Sequence, residues 1–206
     1  MRYVILAIAL CIGGCGRKQV ETLNEQVIRL LDAGKYAEAE PLALQALEVS
    51  LKKNGPDHPD TAMSLGGLAS LYKTRGKYDL AEPLFKRALA IREKALGPDH
   101  ADTATSLDNL ASLYDTQGKY DLAEPLQKRA LAIHEKVLGS DHASTATDLE
   151  NFATLYYTQG KYDLAEPLYK RSLAIREKVL GPDHASTILL RNNLARMKAD
   201  REAAGK

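Results

Sequence analysis

Tryptophan is absent, and cysteine nearly so: Cys11 and Cys15 both stand close to the start of a 206-residue chain. The long remainder therefore cannot build a disulfide framework or a cysteine-ligated zinc site. Neither sign of charge dominates, with 28 Lys and Arg standing against 27 Asp and Glu. Phosphate recognition draws on a basic excess or stripe, so this balance argues against nucleic acid as a partner. Apolar runs long enough to span a bilayer are also missing, which argues against a polytopic membrane protein. Hydrophobic residues nevertheless make up 45% and charged residues 27%, proportions that suit a packed chain and not general disorder. The length suits one compact domain or a short array of repeats.

The N-terminus has the pattern of a processed segment. Residues 1–14, MRYVILAIALCIGG, place one early cation, Arg2, before an apolar stretch. A charged start and an apolar core of about 7–15 residues fit a secretory signal peptide. Ile12-Gly13-Gly14-Cys15 resembles the lipobox of bacterial lipoproteins, whereas Leu10 is too large for the small position that Cys11 would need before it. The resemblance implies cleavage after residue 14, lipidation of Cys15 and a short tether over 15–19. Gly16 follows the cysteine instead of the aspartate associated with inner-membrane retention. An outer-membrane anchor facing the periplasm is therefore expected in a Gram-negative cell. The same run would also serve as an uncleaved signal anchor or as an apolar first helix.

The rest of the chain is one motif repeated. Gly34-Lys35-Tyr36 recurs at Gly76, Gly118 and Gly160, and Asp57-His58 at Asp99, Asp141 and Asp183, always at the same interval. Within each period the apolar residues fall into two helical stretches. Leu107, Leu110, Ala111 and Tyr114 line one helix face, and Gly118 is placed to end that helix through a positive φ. Leu122, Ala123, Leu126, Ala130 and Ile133 are expected on the inner face of the second helix. Asp121 and Glu124 have the spacing of a capping box, as do the pairs at 79/82 and 163/166. Pro41, Pro83, Pro125 and Pro167 are expected about one turn in, where a missing N–H costs little. A single hairpin cannot bury its apolar stripe, so each must stack on the next and a polar cap must close the array. Tyr72, Tyr114 and Tyr156 share one phase that Lys198 continues, which suits a solvent-facing cap. The expected fold is an all-α α-solenoid of tandem helix-turn-helix hairpins over 20–203. The hairpins are read at about 20–54, 59–97, 101–139 and 143–181, with a C-terminal capping helix at 185–203.

The spacing Leu107…Leu110-Ala111…Tyr114…Gly118…Tyr120…Ala123…Ala130 resembles the tetratricopeptide repeat. The 42-residue period with LGPDH, GKY and AEPLYKR resembles its kinesin light chain-like subclass. That resemblance implies a concave groove lined by the first helix of each hairpin, where an asparagine contacts a bound peptide. The matching residues are Asn109, Asn151 and Asn193, with Gly67 at the corresponding place one repeat earlier. A side-chain amide both donates to and accepts from an extended backbone. It could equally bond the neighbouring repeat. Thr105, Asp108, Ser112, Thr147, Glu150, Thr154, Tyr157 and Arg196 are expected around them. Asp108, Asp115 and Glu150 make that face acidic, which suggests a neutral or basic peptide.

The four Asp-His pairs invite a metal reading. Equivalent positions in neighbouring hairpins are roughly 8–10 Å apart, and zinc ligands must lie about 2.1 Å from the ion. The pairs are therefore read as loop and N-cap residues. His134, which replaces the arginine found at 92 and 176, is expected to be exposed. There is no nucleophile elbow and no phosphate-binding glycine loop. No catalytic residue, metal or cofactor is expected. The function this supports is a non-enzymatic, lipid-anchored scaffold binding a protein or peptide at the cell envelope. A polysaccharide- or peptidoglycan-associated factor, or an accessory subunit of an envelope enzyme, are the alternatives.

Overall fold

The computed structural model describes residues 18–205; the expected signal peptide and Cys15 lie outside them. Helix α1 is described over 18–32. It is followed by α2 (Tyr36–Asn54), α3 (Pro59–Thr74), α4 (Tyr78–Leu96), α5 (Ala101–Thr116), α6 (Tyr120–Val137), α7 (Ala143–Thr158), α8 (Tyr162–Leu180) and α9 (Ala185–Ala203). No strand occurs among the described residues. The fold is an all-α array of tandem hairpins, of the α-solenoid class. It divides into two compact units at the Pro98–Asp99 boundary.

In the first unit, α3 packs on α4 and on α2. Val27, Ala39, Ala43, Leu68 and Leu71 form one buried cluster, and Ala62, Leu65, Ala88 and Ile91 another. In the second unit α5 packs on α6, α6 on α7, α7 on α8 and α8 on α9, with α5 also touching α7. Ala111, Ala123, Ala153 and Ala165 are all fully buried there, and their lack of bulk sets how closely the helices approach. The turn inside each hairpin closes in the same way. Gly118 at φ 71° reverses the chain so that the Lys119 N–H reaches the Tyr114 carbonyl at 2.8 Å. Lys119 then lies over the Tyr114 ring, 5.8 Å from its centroid, and Lys161 over Tyr156 at 5.7 Å.

Several local expectations are corrected. The N-cap of α6 is Lys119 and makes no side-chain cap, so Asp121 and Glu124 form no capping box. Asp121 instead lies in the first turn, where the helix dipole favours a carboxylate. The same holds for Asp79 in α4 and Asp163 in α8. Pro125 is inside the helix, past the initial residues whose N–H groups are free in any case. Its ring therefore leaves a carbonyl of the preceding turn without its usual intrahelical donor. Leu122 is 50% exposed, because Ala123, Gln127, Ala130 and Ile133 take the inward positions and leave Leu122 to one side of them. The C-terminal helix is polar at Lys198 but leaves Ile188 and Leu189 exposed, so the cap is not polar throughout.

Candidate functional site

The Asp-His pairs resolve into two structural tasks. His58, His100, His142 and His184 are N-caps in extended conformation, each ring accepting a backbone N–H two residues on. The Nδ1 to N distances are 3.1 Å for His58, His100 and His142, and 3.3 Å for His184. A ring nitrogen here does what a serine or aspartate oxygen does at other N-termini. The preceding aspartates hold the far end of the same hairpin: Lys94 donates to Asp57 at 2.5 Å and Lys136 to Asp99 at 2.6 Å. Lys178 and Asp141 make the same pair.

The expected peptide-binding residues lie on α5, α7 and α9 of the second unit. Asn109, Asn151 and Asn193 are each half-buried, and none of their side chains makes a hydrogen bond among the described residues. Their amides therefore do not brace a neighbouring helix. Thr105 and Thr147 are exposed and bond back to the carbonyls of Ala101 and Ala143. Thr154 bonds the Glu150 carbonyl and shares a 2.8 Å hydrogen bond with Tyr169. Ser112 is half-buried. Tyr157 donates to Asp200, and the Arg196 guanidinium lies 5.9 Å from its ring centroid. Glu150 is half-buried and paired with Arg176.

The acidity expected of this face is smaller than its residue count implies. Glu150 has its own cation, and the Asp108 carboxyl is held in its neutral form. Burial pushes that carboxyl up to about 9, and the hydrogen bond and charge of Asp148 push in the same direction. Two carboxyls share a hydrogen bond only through a proton, which Asp108 keeps.

His134 is a second correction. It is 4% exposed, not a surface residue. Its Nδ1 lies 2.7 Å from Asp148 Oδ2, and its Nε2 3.2 Å from the Ala101 carbonyl. The hydrogen bond to Asp148 raises the imidazole above its ordinary value, with desolvation opposing. The physical reason is reach. An arginine at this position extends its head to the rim, as Arg176 does toward Glu150, whereas the shorter imidazole must find partners in the interior. No sequence pattern announces this, since Asp108, His134 and Asp148 stand on three different helices.

A protein built this way is a repeat protein of stacked helical hairpins. Tetratricopeptide repeat matches run over residues 21–94, 68–136, 116–178 and 149–203, and the chain belongs to that family. A Podosopora anserina protein described as a kinesin light chain with nearly identical TPR-like repeats is 27% identical. That match covers 92% of this chain and 91% of that one, with a TM-score of 0.72. BtubC (BKLC) from P. vanneervenii is 23% identical over 99% of this chain and 81% of its own, also with a TM-score of 0.72. Pseudomonas aeruginosa pilF is 19% identical over 90% and 72%, with a TM-score of 0.63. These last two share the fold. Comparison with curated proteins finds no match.

Proposed function

We propose that this chain is a non-enzymatic scaffold, anchored to a bacterial envelope membrane by lipid on Cys15, that binds an extended peptide segment of a partner protein. The observation that carries the reading is the set of three amides, Asn109, Asn151 and Asn193, spaced one repeat apart and bonded to nothing among the described residues. A half-buried amide without a partner is a group that a guest backbone can satisfy on both its donor and acceptor sides. Tetratricopeptide proteins are in general protein-binding scaffolds, which agrees. Because Asp108 and Glu150 present little free negative charge, the guest is recognised through its main chain more than through its side-chain charge.

Capture from envelope extracts with wild type and an Asn109→Ala/Asn151→Ala/Asn193→Ala variant tests the binding face. Partners held by wild type and released by the variant are expected; equal capture by both discards the face. Anchoring is tested separately by fractionation. The Cys15→Ala protein is expected to leave the membrane fraction, and firm retention removes the lipid from the proposal. The anchoring reading rests on the lipobox alone. Among the described residues no helix is long and apolar enough to cross a membrane.

A further inference from the structure

Three departures from the repeat meet at one point in the second unit. Position 134 is His where 92 and 176 are Arg; position 148 is Asp where 64 and 106 are Ser and 190 is Leu; position 108 is Asp where 66 is Gly and 150 is Glu. Each is unremarkable alone. Together they place one imidazole and two carboxylates so that a ligand atom of each lies within 4.8 Å of the others.

The details suit a metal more closely than a simple ion pair. The His134 Nε2 faces the Ala101 carbonyl at 3.2 Å, so its N–H donates there and Nδ1 is the atom presented to the carboxylates. A ligating imidazole is fixed by such a bond from its other nitrogen to a backbone carbonyl. Asp148 is 2% exposed and meets Nδ1 through Oδ2. Asp108 supplies the third group. As a residue it is only half-buried, yet its Oδ1 is shut off from water and has no hydrogen-bond partner. That oxygen is an acceptor held in the interior with nothing to accept.

We infer that Asp108, His134 and Asp148 form a binding site for a transition-metal dication, one ligand each from α5, α6 and α7. The ion displaces to solvent the proton that Asp108 keeps in the metal-free chain, and the two carboxylates then balance its charge. The imidazole selects zinc, cobalt or nickel over calcium, magnesium and manganese, which favour oxygen sets. Ligands about 2.1 Å from an ion stand roughly 3.0 Å apart at right angles and about 3.4 Å apart at the tetrahedral angle, so the 2.7 Å between His134 and Asp148 has to open by several tenths of an ångström as the ion enters. Three protein ligands leave at least one position to water. The consequence is a clasp joining three helices from two successive hairpins. This departs from the expectation of a metal-free chain, and it does not depend on the peptide-binding reading.

The test uses the full chain, stripped with chelator and titrated with Co2+ and, by calorimetry, with Zn2+. One equivalent should bind, with a visible cobalt absorption band that Zn2+ abolishes and a rise in melting temperature. His134→Arg installs the residue the neighbouring repeats carry, and it should keep the helical circular dichroism while losing the band, the equivalent and the thermal shift. Should it fail to fold, Asp148→Ser, the residue found at 64 and 106, replaces it with the same expectation. His100→Asn, which alters an exposed N-cap, should keep all three signals. Absence of a stoichiometric site in wild type, equal binding by the folded His134→Arg or Asp148→Ser protein, or loss of the signals in His100→Asn overturns the assignment.

Discussion

Helices α6 and α8 have the same sequence from their first tyrosine to the Glu-Lys-Val near their ends except at three places: Gln127 against Tyr169, Ala130 against Ser172, and His134 against Arg176. Every outward residue is identical, and the differences all fall inward. Gln127 and Tyr169 are 3% and 2% exposed, while Ala130 and Ser172 are both fully buried. Tyr169 and Ser172 complete hydrogen bonds, to Thr154 at 2.8 Å and to the Ala146 carbonyl at 2.6 Å. Gln127 leaves its Oε1 buried and unpartnered. Two helices that look alike to solvent thus solve their interiors differently: α8 closes its polar groups locally, and α6 leaves the Gln127 acceptor open and buries an imidazole.

The largest effect should come from deleting that imidazole. His134→Ala strands Asp148 in the interior, and removing one member of a buried pair costs about 3 kcal/mol or more. The matching change in α8, Arg176→Ala, should cost about 1.5 kcal/mol, because a charged hydrogen bond nearer the rim is lost and water can replace part of it. Urea unfolding of both proteins in chelator measures the difference without any contribution from metal. Equal losses would show that α6 and α8 are equivalent after all. A smaller gain is expected from Gln127→Phe, which copies Phe85 of α4. Replacing an amide with a buried unpaired oxygen by an aromatic ring should stabilise by about 1 kcal/mol. A loss of that size instead would mean that the amide has a partner worth keeping.

The same contrast shows why some of this molecule is legible in its sequence and some is not. A fixed period, glycines at each turn and alanines at each helix crossing are written at every repeat, so the hairpins can be read from the amino acids alone. Groups whose role depends on a single repeat cannot. At 134 the neighbouring repeats carry arginine, which reads as surface, and the carboxyl groups it meets, Asp108 and Asp148, belong to the helices before and after its own. The capping box is absent for a local reason: the turn ends in Gly-Lys, so the helix starts at the tyrosine and Asp121 arrives too late to cap it. The amides at 109, 151 and 193 emerge from register with the family, while their lack of partners is visible only in the packed structure.

Next in size is Ser172→Ala, which gives α8 the residue of α6. The hydroxyl donates to the Ala146 carbonyl in a fully buried position, so about 1 kcal/mol should be lost. Ala130→Ser in α6 is the reciprocal change, and it should not return a matching gain unless the hydroxyl finds the carbonyl of Ala104. Denaturation midpoints of the two variants settle whether the pair of helices is interchangeable at this layer.

The smallest effect lies at the hairpin turns, where α6 and α8 are identical but their neighbours are not. Glu124 is held below the ordinary carboxylate value of 4.5 first by its hydrogen bond from Lys128 and then by the Tyr156 hydroxyl at 3.0 Å, while burial opposes. Glu166 is held below it first by Lys170, with Lys198 and Arg201 adding their charge. Carboxylates depressed in this way stabilise the fold above their unfolded value and lose that contribution as pH falls through the folded one. Tyr156→Phe removes a donor from Glu124 alone. Carbon-detected NMR titration should then show the Glu124 midpoint moving up toward 4.5 while Glu166 stays in place. A shift at both residues would mean that the tyrosine acts through packing of the hairpins and not through its hydroxyl.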